Sequence, residues 1–388
     1  MSSELPDWLR QRLLAAGGSV PFAIYMEWVL HDPDHGAYGS GRLRIGRQGD
    51  FVTAPSLSAD FAALVARQLI AWLEALLPHT AERLSLVETG PGEGSLALDL
   101  ATWISAERPE LAQRLELVLV EPNPGMAARQ RLLLQTCPWP TRWASFGELA
   151  ADPVTGVVLA HEVLDALAVE RIVADGSLWR RQMVTLHGEQ LRLEAGEPLE
   201  PQLLAQLEPL GLAQPGPQRQ APWCSELHPG LAPWLAACGR GLRCGQLLVI
   251  DYAQEAWRYY APQRSNGTLL AYRAQQASDD PLREPGGWDL TAHLCLESLQ
   301  QAAASSGWRP LGQCRQGQAL LALGLAERLH GLQQEPELGL EVLLQRREAL
   351  LRLVDPAALG DFRWVAFGRG MEANSAPPPL FAREPQHD

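Results

Sequence analysis

Two segments of the sequence have the residue types and the spacing of a nucleoside-binding site. The apolar run Leu86-Val87 leads into Glu88-Thr89-Gly90-Pro91-Gly92-Glu93-Gly94, and a second apolar run, Leu117-Val118-Leu119-Val120, ends in Glu121. Glycines after a strand let the backbone approach a ligand closely, and an acid after the next strand can accept hydrogen bonds from both hydroxyls of a ribose. We therefore predict that Gly90, Gly92, Gly94 and Glu121 bind a nucleoside.

The glycine pattern separates two classes of ligand. Dinucleotide-binding loops have the form G-x-G-x-x-G/A, whereas the sixth position counted from Gly90 is Ser95. With the acid Glu88 before its glycines, the segment resembles motif I of S-adenosylmethionine-dependent methyltransferases. This pattern and Glu121 together predict S-adenosyl-L-methionine as the cofactor, with Glu88 as an acceptor for its amino group. The alternative for Glu88 is an acid that organises the loop.

A second group of polar residues, His161-Glu162-x-x-Asp165, follows the apolar run 156–160. In open α/β sheets ligands bind at the carboxyl ends of the strands, so these side chains are expected at the same edge. Carboxylates can hold a guanidinium in two parallel hydrogen bonds and free a lone pair on its third nitrogen. We predict Glu162 and Asp165 as catalytic residues and His161 as a proton acceptor. The alternatives are a helix N-cap with a first-turn acid, and a structural histidine.

Alternating apolar runs and helical stretches predict the elements that hold these residues. Strands are expected at 84–88, 115–121, 156–160, 245–251 and 319–325, the pattern of a doubly wound sheet. The predicted fold class is α/β, a Rossmann-like class I methyltransferase sheet formed by residues 81–388. Residues 1–80 are predicted to form a helical region that contributes to the cofactor pocket, with helices at about 22–30 and 60–77.

The stretch from about 168 to 240 interrupts the alternation of strands and helices. Runs at 169–173 and 179–186, on either side of Asp175-Gly176, predict a hairpin, and a Gln-, Pro- and Leu-rich stretch follows. We interpret 168–240 as an inserted α+β segment that lies over the carboxyl edge of the sheet.

The composition excludes several classes of function. The 388 residues carry a net charge of −13, which argues against a general nucleic-acid binder. All basic residues are Arg, and the absence of Lys excludes pyridoxal-phosphate enzymes and Walker A nucleotidases. The six Cys form no C-x-x-C pair, so no metal site is predicted. No apolar stretch reaches about 18 residues and no signal-peptide pattern is found, so we expect a cytoplasmic protein without stable membrane insertion.

Several motifs together resemble the MidA-like family, relatives of the mitochondrial complex I assembly factor with arginine methyltransferase activity. They run in the family's order, and the resemblance covers most of the chain. Besides Glu88 to Gly94, the matching segments are Pro33-Asp34-His35-Gly36-Ala37-Tyr38, Gly49-Asp50-Phe51-Val52-Thr53-Ala54-Pro55, Ala160 to Leu167, Ile250-Asp251-Tyr252, Pro285 to His293 and Gln316-Gly317.

The resemblance implies a protein-arginine methyltransferase that modifies a subunit of a complex I-type NAD(P)H or ferredoxin dehydrogenase during assembly. It also implies that Asp50 and Thr53 close the cofactor pocket, although a turn or helix cap is the alternative for both. The sequence departs from the family at Thr89, at Ala168, and at Gln275, where we expect a His.

Four more residues are predicted to contact the substrate. Asp251 and Tyr252 end a predicted strand at the same edge of the sheet, and Asp289 and His293 lie in a later loop-to-helix segment. The alternative for Asp289 is a cap on a helix that contains His293.

Three other functions stay open at this point. The chain could bind S-adenosyl-L-methionine as a non-catalytic assembly chaperone, methylate a small molecule, or be a dinucleotide oxidoreductase, which its glycine pattern disfavours. A homodimer is compatible with the sequence, which does not determine the oligomeric state.

Overall fold

A seven-stranded sheet forms the centre of the computed structural model, which describes residues 5–46, 49–50, 52–334, 339–371 and 377–382. Its strands, in chain order, are β1 (Leu84–Thr89), β2 (Leu115–Val120), β3 (Thr141–Trp143), β4 (Val154–His161), β5 (Leu242–Asp251), β6 (Arg309–Arg315) and β7 (Arg363–Arg369). They lie in the order 3-2-1-4-5-7-6. Strands β1 to β5 are parallel, and β7 is antiparallel to both of its neighbours. The predicted Rossmann-like α/β fold is confirmed.

Alternate residues of each central strand enter opposite hydrophobic cores. Leu86 of β1 packs with Phe61 and Trp72 on one face, whereas its neighbour Val87 packs with Leu235 on the other. This two-residue periodicity follows from the pleat of a strand. Because both faces are covered, the parallel strands are nearly continuous apolar runs, which is why they were recognisable in the sequence.

Helices cover both faces of the sheet and connect its strands. The helix Ser95–Glu107 follows the glycine loop, and Leu231–Gly241 precedes β5. The remaining helices of four or more residues are Asp7–Ala15, Phe22–His31, Ala54–Leu57, Ala59–Leu76, Pro109–Ala112, Pro124–Leu133, Phe146–Ala151, Pro201–Leu207, Ala256–Tyr259, Leu296–Ser305, Gln316–Ala322, Leu325–Leu332 and Leu340–Val354.

One helical segment, Ala59–His79, is long and apolar enough to cross a membrane by length and composition, with a mean hydropathy of 1.4. This differs from the expectation, based on the sequence, that no apolar stretch reaches about 18 residues. In the structure 67% of its most apolar window is buried, and Phe61, Trp72 and Leu76 lie in the same core as the central strands. Its apolar character is therefore matched by its position between the sheet and the C-terminal helices.

The predicted hairpin around Gly176 is confirmed. Glu170–Asp175 pairs with Leu178–His187, and Gln190–Pro198 and Cys224–Leu227 extend the same sheet. The N-terminal strand Ser19–Pro21 joins this sheet by pairing with Leu178–His187. The N-terminal region and the segment after β4 are thus held together by main-chain hydrogen bonds.

Two small sheets complete the fold. The strands Leu270–Arg273, Gln276–Ser278 and Asp289–Thr291 form a three-stranded sheet, and Ala253–Gln254 pairs with Leu294–Cys295. The alternative prediction that Asp289 caps a helix containing His293 is wrong, because Asp289 begins a strand and the next helix starts at Leu296.

The predicted strands at 84–88, 115–121, 156–160 and 245–251 are confirmed, but the strand at 319–325 is wrong. The structure has the helix Gln316–Ala322 there, in which Leu320 is buried and Leu321 is 58% exposed. The buried Gln316 side chain donates hydrogen bonds to the carbonyls of Leu353 and Leu359, which fixes the start of the helix. A short apolar run has the same pattern in a buried strand and in a buried helix, so periodicity alone could not separate them.

Candidate functional site

A cavity of about 1140 Å³ opens at the carboxyl edge of the sheet. It exceeds the roughly 300–1,000 Å³ of typical small-molecule pockets, which leaves room for a cofactor and part of a second molecule. The ionisable side chains among its described lining residues are acids, histidines and one tyrosine, with no Arg: Glu27, His31, Tyr38, Glu88, Glu93, Glu121, Glu148, His161 and Glu162. The cavity therefore suits positively charged ligands.

The glycine loop forms one wall of this cavity. Gly90 and Gly92 line it with φ values of +55° and +56°, a region that L side chains rarely adopt. A Cβ added at Gly90 would lie 3.0 Å from Val163, and one at Gly92 would lie 2.9 Å from Ile45. Gly94, with φ +88°, is instead the N-cap of the helix Ser95–Glu107 and lies outside the lining. Gly94 shapes the loop, whereas Gly90 and Gly92 let the backbone of the cavity wall pack closely against Val163 and Ile45.

Glu88 lies near the end of β1 and lines the cavity. The residue is 3% exposed, and its Oε2 atom has no hydrogen-bond partner among the described residues. Burial raises the pKa of this carboxyl to about 8. An unpartnered buried carboxyl is costly, so this atom is a suitable acceptor for a cationic amino group.

Glu121 follows β2 and is fixed by two hydrogen bonds. Its Oε1 accepts from the Asn123 amide at 2.8 Å, and its Oε2 accepts from the Gln130 side chain at 3.0 Å. Gln130 also donates to the Gly92 carbonyl at 2.8 Å and accepts from the Trp143 indole at 2.9 Å. Burial raises the pKa of Glu121, and these hydrogen bonds oppose that shift.

No sequence pattern marks Gln130, which lies between Arg129 and Arg131 on the helix Pro124–Leu133. Nor does a pattern mark the wall formed by residues 143–146, because β3 has only three residues and shows no periodicity. Trp234 lines the cavity from the helix Leu231–Gly241 and contacts Phe146 at a centroid distance of 5.6 Å.

The N-terminal region closes the cavity from the opposite side. Thr53 lines it and is the N-cap of the helix Ala54–Leu57, where its amide donates to Ser56 Oγ at 3.0 Å. Asp50 does not line the cavity. Its carboxylate accepts from the Arg44 amide at 3.0 Å, and its carbonyl accepts from the Gln275 amide at 2.7 Å. Asp50 thus ties the N-terminal segment to residues 274–275; Phe51 of the same motif lies outside the described residues.

Glu162, directly after β4, lines the cavity. Its φ is +52°, and its buried Oε1 has no hydrogen-bond partner among the described residues. Burial raises its pKa well above the ordinary value, and the nearby Asp251 and Asp289 raise it further. Residues with a strained backbone concentrate at functional sites, so the left-handed conformation of Glu162 supports a functional role for this residue.

His161 is buried beside Glu162, with its Nδ1 atom 3.5 Å from Glu162 Oε1. Its ring contacts Phe61 edge-on at 5.3 Å and stacks with Phe362 at 6.5 Å. Burial lowers its pKa to about 3, so the imidazole is neutral near pH 7 and the contact with Glu162 is not an ion pair.

Three further carboxyls, Asp165, Asp251 and Asp289, are buried behind Glu162 and do not line the cavity. Burial raises the pKa of Asp165 well above normal, and raises those of Asp251 and Asp289 to about 7. Asp289 accepts a hydrogen bond from Tyr38, which does line the cavity. The alternative of a helix N-cap at Glu162 and Asp165 is wrong, because a turn follows β4 and leads to the strand Glu170–Asp175.

Tyr252 and His293 stack on each other at 5.4 Å, away from the cavity lining. Tyr252 also contacts Phe362 at 3.9 Å, and His293 Nδ1 lies 2.9 Å from the Gln254 amide nitrogen. Burial lowers the pKa of His293 to about 4. The fold therefore brings Glu88, Gly90, Gly92, Glu121, Thr53, His161 and Glu162 to one cavity and leaves the other predicted residues around it.

Comparison with known proteins assigns the family. A family described as "Putative S-adenosyl-L-methionine-dependent methyltransferase" matches residues 64–314. The chain belongs to this methyltransferase family. Its cofactor is S-adenosyl-L-methionine. A crystal structure from Burkholderia thailandensis bound to S-adenosyl-homocysteine has a TM-score of 0.82 and 29% identity, covering 97% of this chain and 94% of that one.

Two curated relatives of this methyltransferase are named protein arginine methyltransferases. The mitochondrial NDUFAF7 homolog of Drosophila melanogaster is 27% identical, over 95% of this chain and 86% of its own length. The mitochondrial NDUFAF7 of Danio rerio is 26% identical, over 75% of this chain and 70% of its own length. A second Burkholderia thailandensis structure has a TM-score of 0.78 and 28% identity, covering 97% of this chain and 93% of that one.

Proposed function

We propose that this methyltransferase modifies an arginine side chain of a protein, and that its target is a subunit of a complex I-type dehydrogenase during assembly. Two curated relatives carry the name of arginine methyltransferases. The family resemblance supplies the target.

The unpartnered carboxyl of Glu162 carries this proposal. It lines a cavity whose described residues include no Arg, and it stands close enough to Asp251 and Asp289 for their charges to raise its pKa. A bound guanidinium would satisfy its free oxygen and offset the repulsion within the cluster. A neutral donor could satisfy the oxygen but would not offset the repulsion, so the electrostatics favour arginine over an uncharged small molecule.

The cofactor site that we propose uses residues whose geometry fits S-adenosyl-L-methionine. The space beside Gly90 and Gly92 accommodates a ligand, the free Oε2 of Glu88 accepts its amino group, and Glu121 accepts its ribose hydroxyls. Gly94 shapes the loop, Thr53 closes the cavity, and Asp50 holds the segment that carries Thr53.

The side chains around Glu162 prepare the acceptor nitrogen. S-adenosyl-L-methionine, when bound, supplies a methyl group on a sulfonium. Glu162 would hold the guanidinium, concentrate its positive charge on the bound nitrogens and leave a lone pair on the third. The methylated nitrogen must then lose a proton. Burial lowers the pKa of His161 to about 3, so this imidazole is a weak acceptor, and we assign proton acceptance to the buried carboxyls beside Glu162, whose pKa values are raised.

The test uses the purified protein, S-adenosyl-L-methionine labelled on its methyl group, and purified subunits of a complex I-type dehydrogenase. We expect label in ω-N-methylarginine after acid hydrolysis, and a rate at least about 100-fold lower in Glu162→Gln, because an electrostatic contact to the reacting group is lost. Glu27→Gln is the matched control, since it removes a charge from the same cavity at an exposed position.

Calorimetric binding of S-adenosylhomocysteine should be equal in the three proteins. Cofactor binding without transfer to any subunit would support the chaperone instead. Label that appears only in small molecules would support a small-molecule methyltransferase. Equal transfer in the wild type and Glu162→Gln would contradict the role of Glu162.

A further inference from the structure

One carboxylate at the end of β5 binds most of the backbone that follows Glu162. Asp251 Oδ2 accepts from the amides of Val163, Leu164 and Asp165 at 3.3, 3.0 and 3.3 Å. Its Oδ1 accepts from the Tyr252 amide at 2.8 Å. Asp251 is 1% exposed, and both of its oxygens are occupied by main-chain donors. The Asp251 carboxyl, which was predicted to contact the substrate, is therefore engaged by the backbone of the protein itself.

The turn that Asp251 holds is the one that orients Glu162. The Glu162 amide donates to the carbonyl of Ile250 at 2.9 Å, and the next three amides converge on Asp251. Four consecutive amides are thus fixed by two adjacent residues of β5. A left-handed conformation at a residue with a side chain costs about 1–3 kcal/mol and persists only when its surroundings enforce it.

We propose that Asp251 is a positioning residue, which acts through the turn to hold Glu162 in the orientation that binds the guanidinium. The link to guanidinium binding rests on the proposed function, whereas the role of Asp251 in fixing the turn rests on its hydrogen bonds alone. A carboxylate suits the task because it accepts several hydrogen bonds and donates none, and converging amides form an anion-binding concavity. An asparagine would place its NH₂ group, which is a donor, against either the amides of residues 163–165 or the amide of Tyr252, and the hydrogen bonds there would be lost.

The first experiment needs no acceptor and compares Asp251→Asn with the wild type by amide hydrogen exchange. In the wild type, the amides of residues 163–165 should be protected like those of β5. In Asp251→Asn their exchange should accelerate at least about tenfold. A hydrogen bond to a charged group contributes about 1.5–3 kcal/mol, and its loss changes the opening equilibrium of the amide by more than that factor. Asp289→Asn is the matched control: it removes a carboxyl equally buried in the same cluster, and it should leave these amides protected.

The second experiment measures binding of N-acetyl-arginine methylamide in the presence of saturating S-adenosylhomocysteine. Asp251→Asn should weaken this probe about as much as Glu162→Gln, and the double variant should be no weaker than either, since both act on one contact. Affinity for S-adenosylhomocysteine should be unchanged, a split that general destabilisation would not produce.

The outcomes separate the two ideas. A wild type that does not bind the guanidinium probe contradicts the proposed function, and the exchange experiment then decides on the turn by itself. Unprotected amides at 163–165 in the wild type overturn the positioning role even if Asp251→Asn does not fold. The positioning role is also overturned if the two substitutions weaken probe binding additively in the double variant, or if Asp251→Asn binds the guanidinium probe as tightly as the wild type.

Discussion

At the scale of single residues, two carboxyls of the cavity, those of Glu88 and Glu162, have no Arg partner among the described residues. Glu88 and Glu162 each keep one buried oxygen with no hydrogen-bond partner among the described residues. Burial of a carboxyl without a cation disfavours its charged form, which is why their pKa values are raised. Such groups are stabilised when a cation arrives, so ligand binding and proton release should be coupled.

Cofactor binding near neutral pH should release a proton from Glu88. Its pKa is about 8 in the free protein, so at pH 7 the carboxyl is mostly protonated and must ionise to hold a cationic amino group. Calorimetry of S-adenosyl-L-methionine binding in buffers of different ionisation enthalpy should show this release. Affinity should rise by up to about tenfold per pH unit between pH 6 and 7.

Glu88→Gln serves as the control for this linkage. It should bind the cofactor more weakly at pH 8 and lose the dependence of the enthalpy on the buffer. Proton release that is unchanged in Glu88→Gln would assign the titration to another group.

At the scale of elements, four central strands could be predicted because each is an apolar run buried on both faces. The turns that follow them also carried signals, since glycines and acids at strand ends have known roles in α/β sheets. The helix Gln316–Ala322 could not be predicted, because its distinguishing contacts are the distant carbonyls that Gln316 binds. Local sequence does not encode which distant atoms will be available.

Gly92→Ala tests the loop as an element that leaves space for a ligand. Gly176→Ala is its matched control, because Gly176 has a similar φ of +61° and nothing within 4 Å of an added Cβ. Both variants should lose about 1 kcal/mol or more of unfolding free energy from the left-handed backbone. Only Gly92→Ala should also weaken S-adenosylhomocysteine binding, by at least about tenfold, since its methyl group would lie 2.9 Å from Ile45 and displace this residue of the cavity wall.

Urea unfolding measures the free energy of unfolding, and calorimetry measures the affinity for S-adenosylhomocysteine. Equal cofactor affinity in both variants would mean that the ligand does not approach the backbone at Gly92.

At the scale of the whole molecule, one buried acid joins the helix Ala59–Leu76 to the C-terminal helices. Asp60, 1% exposed, binds Arg328 Nε at 2.6 Å and Arg346 Nη2 at 2.6 Å. Burial alone would raise its pKa, but the hydrogen bonds from Arg346, Ser58 and Arg328 outweigh burial and lower it. Because more than 260 residues separate Asp60 from either arginine, this contact exists only in the folded chain.

Asp60→Asn should lower the free energy of unfolding by about 2–4 kcal/mol, because it leaves two arginines beside a buried neutral group. A lowered folded-state pKa gives stability that is present above the unfolded pKa near 4 and is lost as the pH falls. The difference between wild type and variant should therefore shrink below about pH 4. Urea unfolding at pH 7 and pH 3.5 measures it.

Glu327→Gln is the control for this ion pair. Its side chain is 72% exposed and lies 3.7 Å from Arg67, so the change should cost less than about 1 kcal/mol. A similar loss in both variants would contradict a special role for Asp60.

The sequence by itself determined the class of fold and the cofactor, and it marked acids at strand ends as candidates for the site. Glycine loops, strand ends and the acids beside them are local patterns, and their physical roles do not depend on the rest of the chain. Tertiary structure alone decided which of these residues share the cavity. Asp251, Asp289 and Glu162 all sit near strand ends, yet only Glu162 lines the cavity. The physical reason is that the Asp251 carboxyl accepts from four backbone amides, three of them in the turn after β4, and no local pattern specifies this long-range contact.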